Sequence, residues 1–326
     1  MSLAADQMSQ PCPYRYQVYG LTVDSRIEIP ELTPADELET DISVKLGHVP
    51  DRLTSPTRSF DWIEHDPHAC LFRVQGIGRF LIENGNSITI DRRENRNRRR
   101  GEGAPPADLR VYLLGSAFGA LLHQRGWVPL HVSAVQTDLG VWSFTGDSGA
   151  GKSTTVGWLH RRYGWPIVSD DVSVLKPSDP APNLYPGPRK LKLWQDAVDH
   201  LDCHDEQLVQ DLSNTPKFQL YLSDRHHYQP RPMQALVILD RCDADEGPSL
   251  EHLSGTRAFE ALMGAVYRPY MAEWFRDPTE LMQDLVSLCN RIDVYRFRRR
   301  WSLEQMEQQL EPVLTEIGKP KETRDT

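Results

Sequence analysis

Residues Gly146-Asp147-Ser148-Gly149-Ala150-Gly151-Lys152-Ser153 match the pattern GxxxxGK[ST] in full, and Thr154 follows. Glycines in such a loop let the backbone aim several N–H groups at phosphate oxygens, and a helix starting at its end adds a favourable dipole field. Lys152 is placed to reach the β- and γ-phosphates of ATP, and Ser153 to ligate Mg²⁺. Downstream, Ile167-Val168-Ser169 leads into Asp170 and Asp171. A phosphate loop needs an acid there for the metal, and a transfer reaction needs a second group to take the proton of the nucleophile. Adjacent aspartates can fill both roles, each holding the pKa of the other up unless the metal neutralises one. His131 stands in the apolar run Pro129 to Val135. A lone strand histidine is commonly structural, its ring satisfied by a backbone carbonyl. Beside a phosphate loop and an aspartate pair, it becomes a candidate site residue.

Transfer of a phosphoryl group spreads charge over its equatorial oxygens, so cations near the loop are candidate clamps. Arg189, Lys190 and Lys192 lie close together in RKLKLW, and strand alternation would turn Lys190 and Lys192 to one face. The alternative for this segment is a solvated basic edge. Lys217 and Arg268 are further candidates. A separate run, Arg92 to Arg100, holds six arginines in nine positions. It reads either as a solvated loop or as a basic patch that speeds the approach of an acidic peptide.

The elements that must position these residues read as α/β. Strand, glycine loop, helix and strand alternate from Val141 onward, with a helix from Lys152 to about Gly164 and IVSDDVSVL as the buried strand after it. DLRVYLLGSAFGALLHQRG has helical apolar spacing, and Gly126 is a stop. Two short strands flank Asp138-Leu139-Gly140, the proline-rich stretch Pro177 to Pro188 excludes a regular element, and ALVILD is a further buried strand. FEALMGAVY reads as a helix, DVYRFRR as a strand, and SLEQMEQQLEPVL as a helix. Upstream, Tyr16 to Val23 is a β segment, and Asn84-Gly85 sits at the turn of a hairpin from Arg79 to Asp91. The expected organisation is a β-rich region over 1–95, an Arg/Gly/Pro-rich linker over 96–106, a catalytic domain over 107–318 and a polar tail over 319–326.

Composition narrows the classes. The chain has 326 residues, 39% of them hydrophobic and 25% charged, with 37 Lys+Arg against 46 Asp+Glu and a net charge of −9. The acidic balance excludes a general polyanion binder and argues against nucleic acid as a partner. A mean hydropathy of −0.53, with no long apolar run, argues against membrane insertion. No secretory signal is recognisable at the N-terminus, and the five cysteines form no CxxC motif. The reading is a cytoplasmic protein with reduced thiols.

The order LHxSAV, GDSGAGKST, SDDVSVL, concentrated in Leu130 to Leu175, resembles the catalytic domain of HPr kinase/phosphorylase. The resemblance implies a phosphate-loop kinase core with His131 against the carboxylates, Asp171 as the base and Asp170 as the metal-side acid, the last two exchangeable. Thr154 stands where those kinases usually carry glutamate, and Tyr185 to Trp194 where they carry an EIRG-type signature. With YGLTVDSRIEIPEL and Val266-Tyr267-Arg268-Pro269, the chain looks like a divergent HPr-kinase-related branch that includes kinases of lasso-peptide precursors. The implied function is ATP- and Mg²⁺-dependent phosphorylation of a serine-type hydroxyl on a peptide or small protein, the C-terminal serine of a lasso precursor among them. A bifunctional HPr kinase/phosphorylase and a nucleotide-dependent switch without an acceptor are the other readings. Oligomer formation stays open.

Overall fold

The computed structural model describes residues 13–36, 39–92, 106–203, 208–210, 216–222, 229–242 and 246–319. The fold is mixed α/β in two compact units, Met1–Leu121 and Leu122–Thr326. Except for Arg92 the arginine run lies outside the described residues, as do 96–105 of the expected linker and all but Lys319 of the expected tail.

The first unit carries β1 (Tyr14–Val18), β2 (Leu21–Ser25), β3 (Thr33–Pro34), β4 (Ile42–Leu46), β5 (Arg58–Ser59), β6 (Ile63–His65), β7 (Ala69–Val74), β8 (Gly78–Glu83) and β9 (Ser87–Asp91). They form one sheet in the order β3-β1-β2-β4-β9-β8-β7-β6-β5. The β8–β9 hairpin turns at Asn84 and Gly85, both at positive φ, as the Asn-Gly pair predicts. The segment Tyr16 to Val23 is not one strand. Tyr19 and Gly20 both take positive φ and fold it into the β1–β2 hairpin. No Asn or Asp marks this turn; burial of the Tyr19 ring beside Phe118 accompanies the unusual backbone. The helix expected from Asp108 is interrupted. It runs as α1 (Pro106–Tyr112), a π-helical turn at Leu113–Ala117, and α2 (Phe118–Gln124), and the division between the units falls within α2.

The second unit begins with β10 (Val128–Leu130), β11 (Ser133–Thr137), β12 (Gly140–Thr145), α3 (Lys152–Tyr163), β13 (Ile167–Ser169), β14 (Ser173–Leu175) and β15 (Asn183–Tyr185). Next come β16 (Lys190–Trp194), α4 (Gln195–His200), β17 (Leu208–Gln210), β18 (Lys217–Tyr221), β19 (Arg231–Arg241) and β20 (Ser249–Leu253). The described chain closes with α5 (Gly255–Ala265), α6 (Pro269–Phe275), α7 (Pro278–Cys289), β21 (Asp293–Arg299) and α8 (Met306–Ile317). The main sheet runs β10-β14-β15-β19-β12-β11-β13, with β21 also paired to β19 and β20 to β21. Its centre, β12, β19 and β21, is parallel, and the adjoining pairs are antiparallel.

Parallel strands covered on both faces read as continuous apolar runs, which is why ALVILD is legible. Val156 and Leu159 of α3 pack with Leu310 and Val313 of α8 in one core cluster. Leu262 of α5 and Leu285 and Leu288 of α7 lie in the other. A small sheet, β16-β18-β17, lies against α3 at Gly157, where an added methyl would come 2.9 Å from Leu201 Cδ1 and 3.1 Å from Leu191 Cδ2. That close approach carries Lys192 toward the aspartates.

Three further expectations are corrected. IVSDDVSVL is two strands, β13 and β14, with the aspartates in a tight turn between them. The turn forms because Asp171 adopts φ +84°, and Ser169 Oγ donates to Val172 O at 2.6 Å across it. The proline-rich stretch does hold a short strand, β15, which pairs with β14 and β19 through residues between the prolines. The last helix starts at Met306 rather than Ser302.

Candidate functional site

β12 ends at Thr145, the glycine loop follows, and α3 begins at Lys152. Gly146 at φ +138° passes so near β19 that an added methyl would lie 2.8 Å from Leu239 O. Gly151, at φ +87°, is the N-cap of α3, and no side chain caps the helix there. First-turn N–H groups of α3 are thereby left to an anion. The Lys152 side chain folds back, Nζ donating to Gly146 O at 2.8 Å and Asp147 O at 3.2 Å. Burial lowers its pKa, against the pull of Asp170 and Asp171. A methyl on Gly151 would fall inside the Trp301 indole and would need a left-handed backbone that disfavours a side chain by about 1–2 kcal/mol. Gly151→Ala is therefore expected to lower Tm and to weaken triphosphate binding sharply, read by thermal melts and calorimetry; unchanged binding would contradict this reading of the loop.

Asp170 is buried at 2% exposure. Its Oδ1 accepts from Ser133 Oγ at 2.5 Å and Ser153 Oγ at 2.8 Å, and its Oδ2 accepts from the Lys192 backbone N at 2.7 Å. Asp171 points the other way. Its Oδ2 accepts from Lys192 Nζ at 2.9 Å, and its Oδ1 lies 3.5 Å from His131 Nε2. Burial alone would raise the Asp171 carboxyl, yet Lys192 and His131 outweigh it and hold it well below the usual carboxylate range. The expected mutual raising of the pair is thus reversed at Asp171, because each carboxylate has its own set of donors.

His131 is not within a strand but in the break between β10 and β11. Its N–H donates to Ala265 O at 2.7 Å, its carbonyl accepts from Thr145 Oγ1 at 3.1 Å, and its ring meets Tyr267 edge-on at 6.0 Å between centroids. Burial and then Lys152 lower its pKa, with Asp171 and Asp170 opposing.

A cavity of about 210 Å³ joins His131, Lys152, Ser153, Asp170, Asp171 and Lys192, with Ser148, Gly149, Gly151 and Thr154 of the loop also on its wall. Lys217 lines it too, its Nζ 5.8 Å from the centroid of the Trp194 ring. Arg189, Lys190 and Arg268 are not among the lining residues. Arg189 precedes β16, Lys190 is 3% exposed, and the Arg268 guanidinium donates to Tyr267 Oη at 3.2 Å and Tyr270 Oη at 2.9 Å. Gly146, Asp147 and Ala150 shape the loop from behind: Ala150 N donates to Asp147 O at 3.0 Å. Sequence reasoning missed Ser133, two residues beyond His131 in the same run, and Trp301, which reaches the loop from beyond β21.

Ser133 Oγ, Ser153 Oγ and Asp170 Oδ1 form a set of hard oxygens, the donor type that Mg²⁺ takes. Among the described residues no cluster of three or more His, Cys, Asp or Glu could hold an ion. A Mg²⁺ at Ser153 and Asp170 would therefore take its other oxygens from phosphate and water, in keeping with its usual partial hydration. The residues fit the ion on those terms. Among the described residues, no helix is long and apolar enough to cross a membrane. The chain matches no family model and no curated protein.

Proposed function

We propose that the chain is an ATP- and Mg²⁺-dependent kinase that phosphorylates a serine-type hydroxyl on a peptide or small protein. The observation that carries this reading is the division of labour between the two aspartates beside the glycine loop. Asp170 is engaged with the hydroxyls of Ser133 and Ser153, while Asp171 faces Lys192 and His131 at the cavity. A nucleotide-binding scaffold needs the first arrangement; the second is what a hydroxyl nucleophile needs. The acceptor class that the family resemblance implies is a peptide serine, the C-terminal serine of a lasso precursor included.

In this reading the loop amides and Lys152 hold the triphosphate, Nζ exchanging Gly146 O and Asp147 O for phosphate oxygens. Mg²⁺, when bound, neutralises charge on the β- and γ-phosphates. Asp171 accepts the proton of the serine hydroxyl as the serine oxygen bonds to the γ-phosphorus. The bond from that phosphorus to the β–γ bridging oxygen breaks, ADP leaves, and Lys152 and Lys192 stabilise the charge on the transferring group. Lys192 also tunes the base: when it turns toward the γ-phosphate, Asp171 loses its strongest opposing charge and becomes more basic.

Lys192→Met should lower kcat by about 10²- to 10³-fold, as for loss of one preorganised donor. It should also move the acid limb of the rate profile to higher pH. The sign follows from the pair: a carboxyl held low by a cation rises toward about 3.9 when the cation goes. A kcat/KM profile, which reports the free enzyme, carried down to about pH 3 with its acid limb unmoved would remove Lys192 from this role. The proposed activity itself is tested with γ-labelled ATP and a panel of serine peptides and small proteins, where labelled acceptor is the expected product.

A further inference from the structure

Trp301 lines the same cavity and comes from a different element than the aspartates and Lys192. It lies just after β21, and its benzo ring occupies the space that a side chain at Gly151 would need. The Arg299 guanidinium lies over this indole, 5.0 Å from its centroid. Arg299 is 2% exposed, donates from Nη2 to Thr155 Oγ1 at 2.8 Å and from Nη1 toward Met306 Sδ at 3.1 Å, and pairs with no carboxylate among the described residues. A buried guanidinium without a counter-anion, bonded to the first turn of α3, gives that end of the loop a fixed positive charge. It also holds the indole from behind.

A nucleotide whose γ-phosphate meets Lys192 and Asp171 must carry its ribose and base away from them, along the loop. An aromatic surface anchored on Gly151, at the start of α3, is suited to that base. Trp194 also lines the cavity, but it follows Lys192 by two residues on β16 and so stands at the Lys192 end rather than at Gly151. We propose that Trp301 is the nucleobase platform of this cavity, a stacking surface held in place by Arg299. The ligand class is a nucleoside triphosphate. Because every base presents a π-face, the platform supplies affinity with little base identity. The inference rests on the reading of the loop as a triphosphate site.

Calorimetry with the full chain in Mg²⁺ buffer separates the two, using ATP, GTP and inorganic tripolyphosphate as titrants. Trp301→Ala is expected to weaken ATP and GTP about 5- to 150-fold and leave tripolyphosphate unchanged. Trp301→Phe should retain most of the affinity, which guards against a folding defect, and Trp194→Ala should bind ATP as the wild type does. Wild-type ATP affinity in Trp301→Ala would overturn the platform while leaving the triphosphate site standing. Equal weakening of ATP and tripolyphosphate would overturn it too, reducing Trp301 to a prop for Gly151. So would loss of ATP affinity in Trp194→Ala instead. A wild-type protein that binds none of the three titrants would overturn the triphosphate site and the platform with it.

Discussion

Asp171→Asn should lose about 10²- to 10⁴-fold in phosphoryl transfer while binding ATP at least as well as the wild type. Asparagine keeps the size of the side chain and can accept a hydrogen bond from Lys192, so the turn at φ +84° and the contact with β16 need not change. What it removes is the proton acceptor and one negative charge facing the phosphates. Losing the acceptor slows only the step in which the hydroxyl proton moves; losing the charge relieves repulsion of ATP in the ground state. The two effects separate in single-turnover rates and equilibrium binding measured on the same preparation. Wild-type transfer in Asp171→Asn would remove it as the base.

Asp170→Ala should act differently, on metal dependence and on the fold together. The carboxylate is buried and serves three donors, so truncation strands Ser133 Oγ, Ser153 Oγ and the Lys192 amide at once. Ser133 Oγ is fully buried, and leaving it unsatisfied costs about 1–3 kcal/mol, with smaller costs at the half-buried Ser153 hydroxyl and Lys192 amide, enough to lower Tm by several degrees. Asp170→Asn loses less, keeping a carbonyl acceptor while removing the charge that would face a Mg²⁺. In Asp170→Asn the gain in ATP affinity on adding Mg²⁺ over EDTA should largely disappear. A full Mg²⁺ gain in that variant would take Asp170 out of the metal site.

The glycine loop was legible because its pattern is local: three glycines, a lysine and a serine within eight residues, read directly onto β12, the loop and α3. ALVILD was legible for a similar reason, since a strand covered on both faces needs an unbroken apolar run. The turn at Asp170-Asp171 was not, because an aspartate at positive φ leaves no mark in hydropathy; valines on either side made one strand the simpler reading. His131 suffers the same ambiguity, its apolar neighbours belonging to two short strands rather than one. Lys192 and Lys190 sit two apart, yet Lys192 ends on Asp171 and Lys190 is buried, a difference set by how β16 meets α3. Trp301 lies far along the chain from Gly151, and contacts of that separation come from topology rather than from pattern.

The most direct measurement is transfer from γ-labelled ATP to serine peptides and small proteins, run side by side with wild type and Asp171→Asn in the presence of Mg²⁺. Alkali-labile, acid-stable phosphoserine is expected on at least one acceptor with the wild type, and label remaining on ATP with the variant. Label released only as inorganic phosphate, with no acceptor marked at any concentration, would contradict the kinase reading and identify a nucleotide-hydrolysing switch instead.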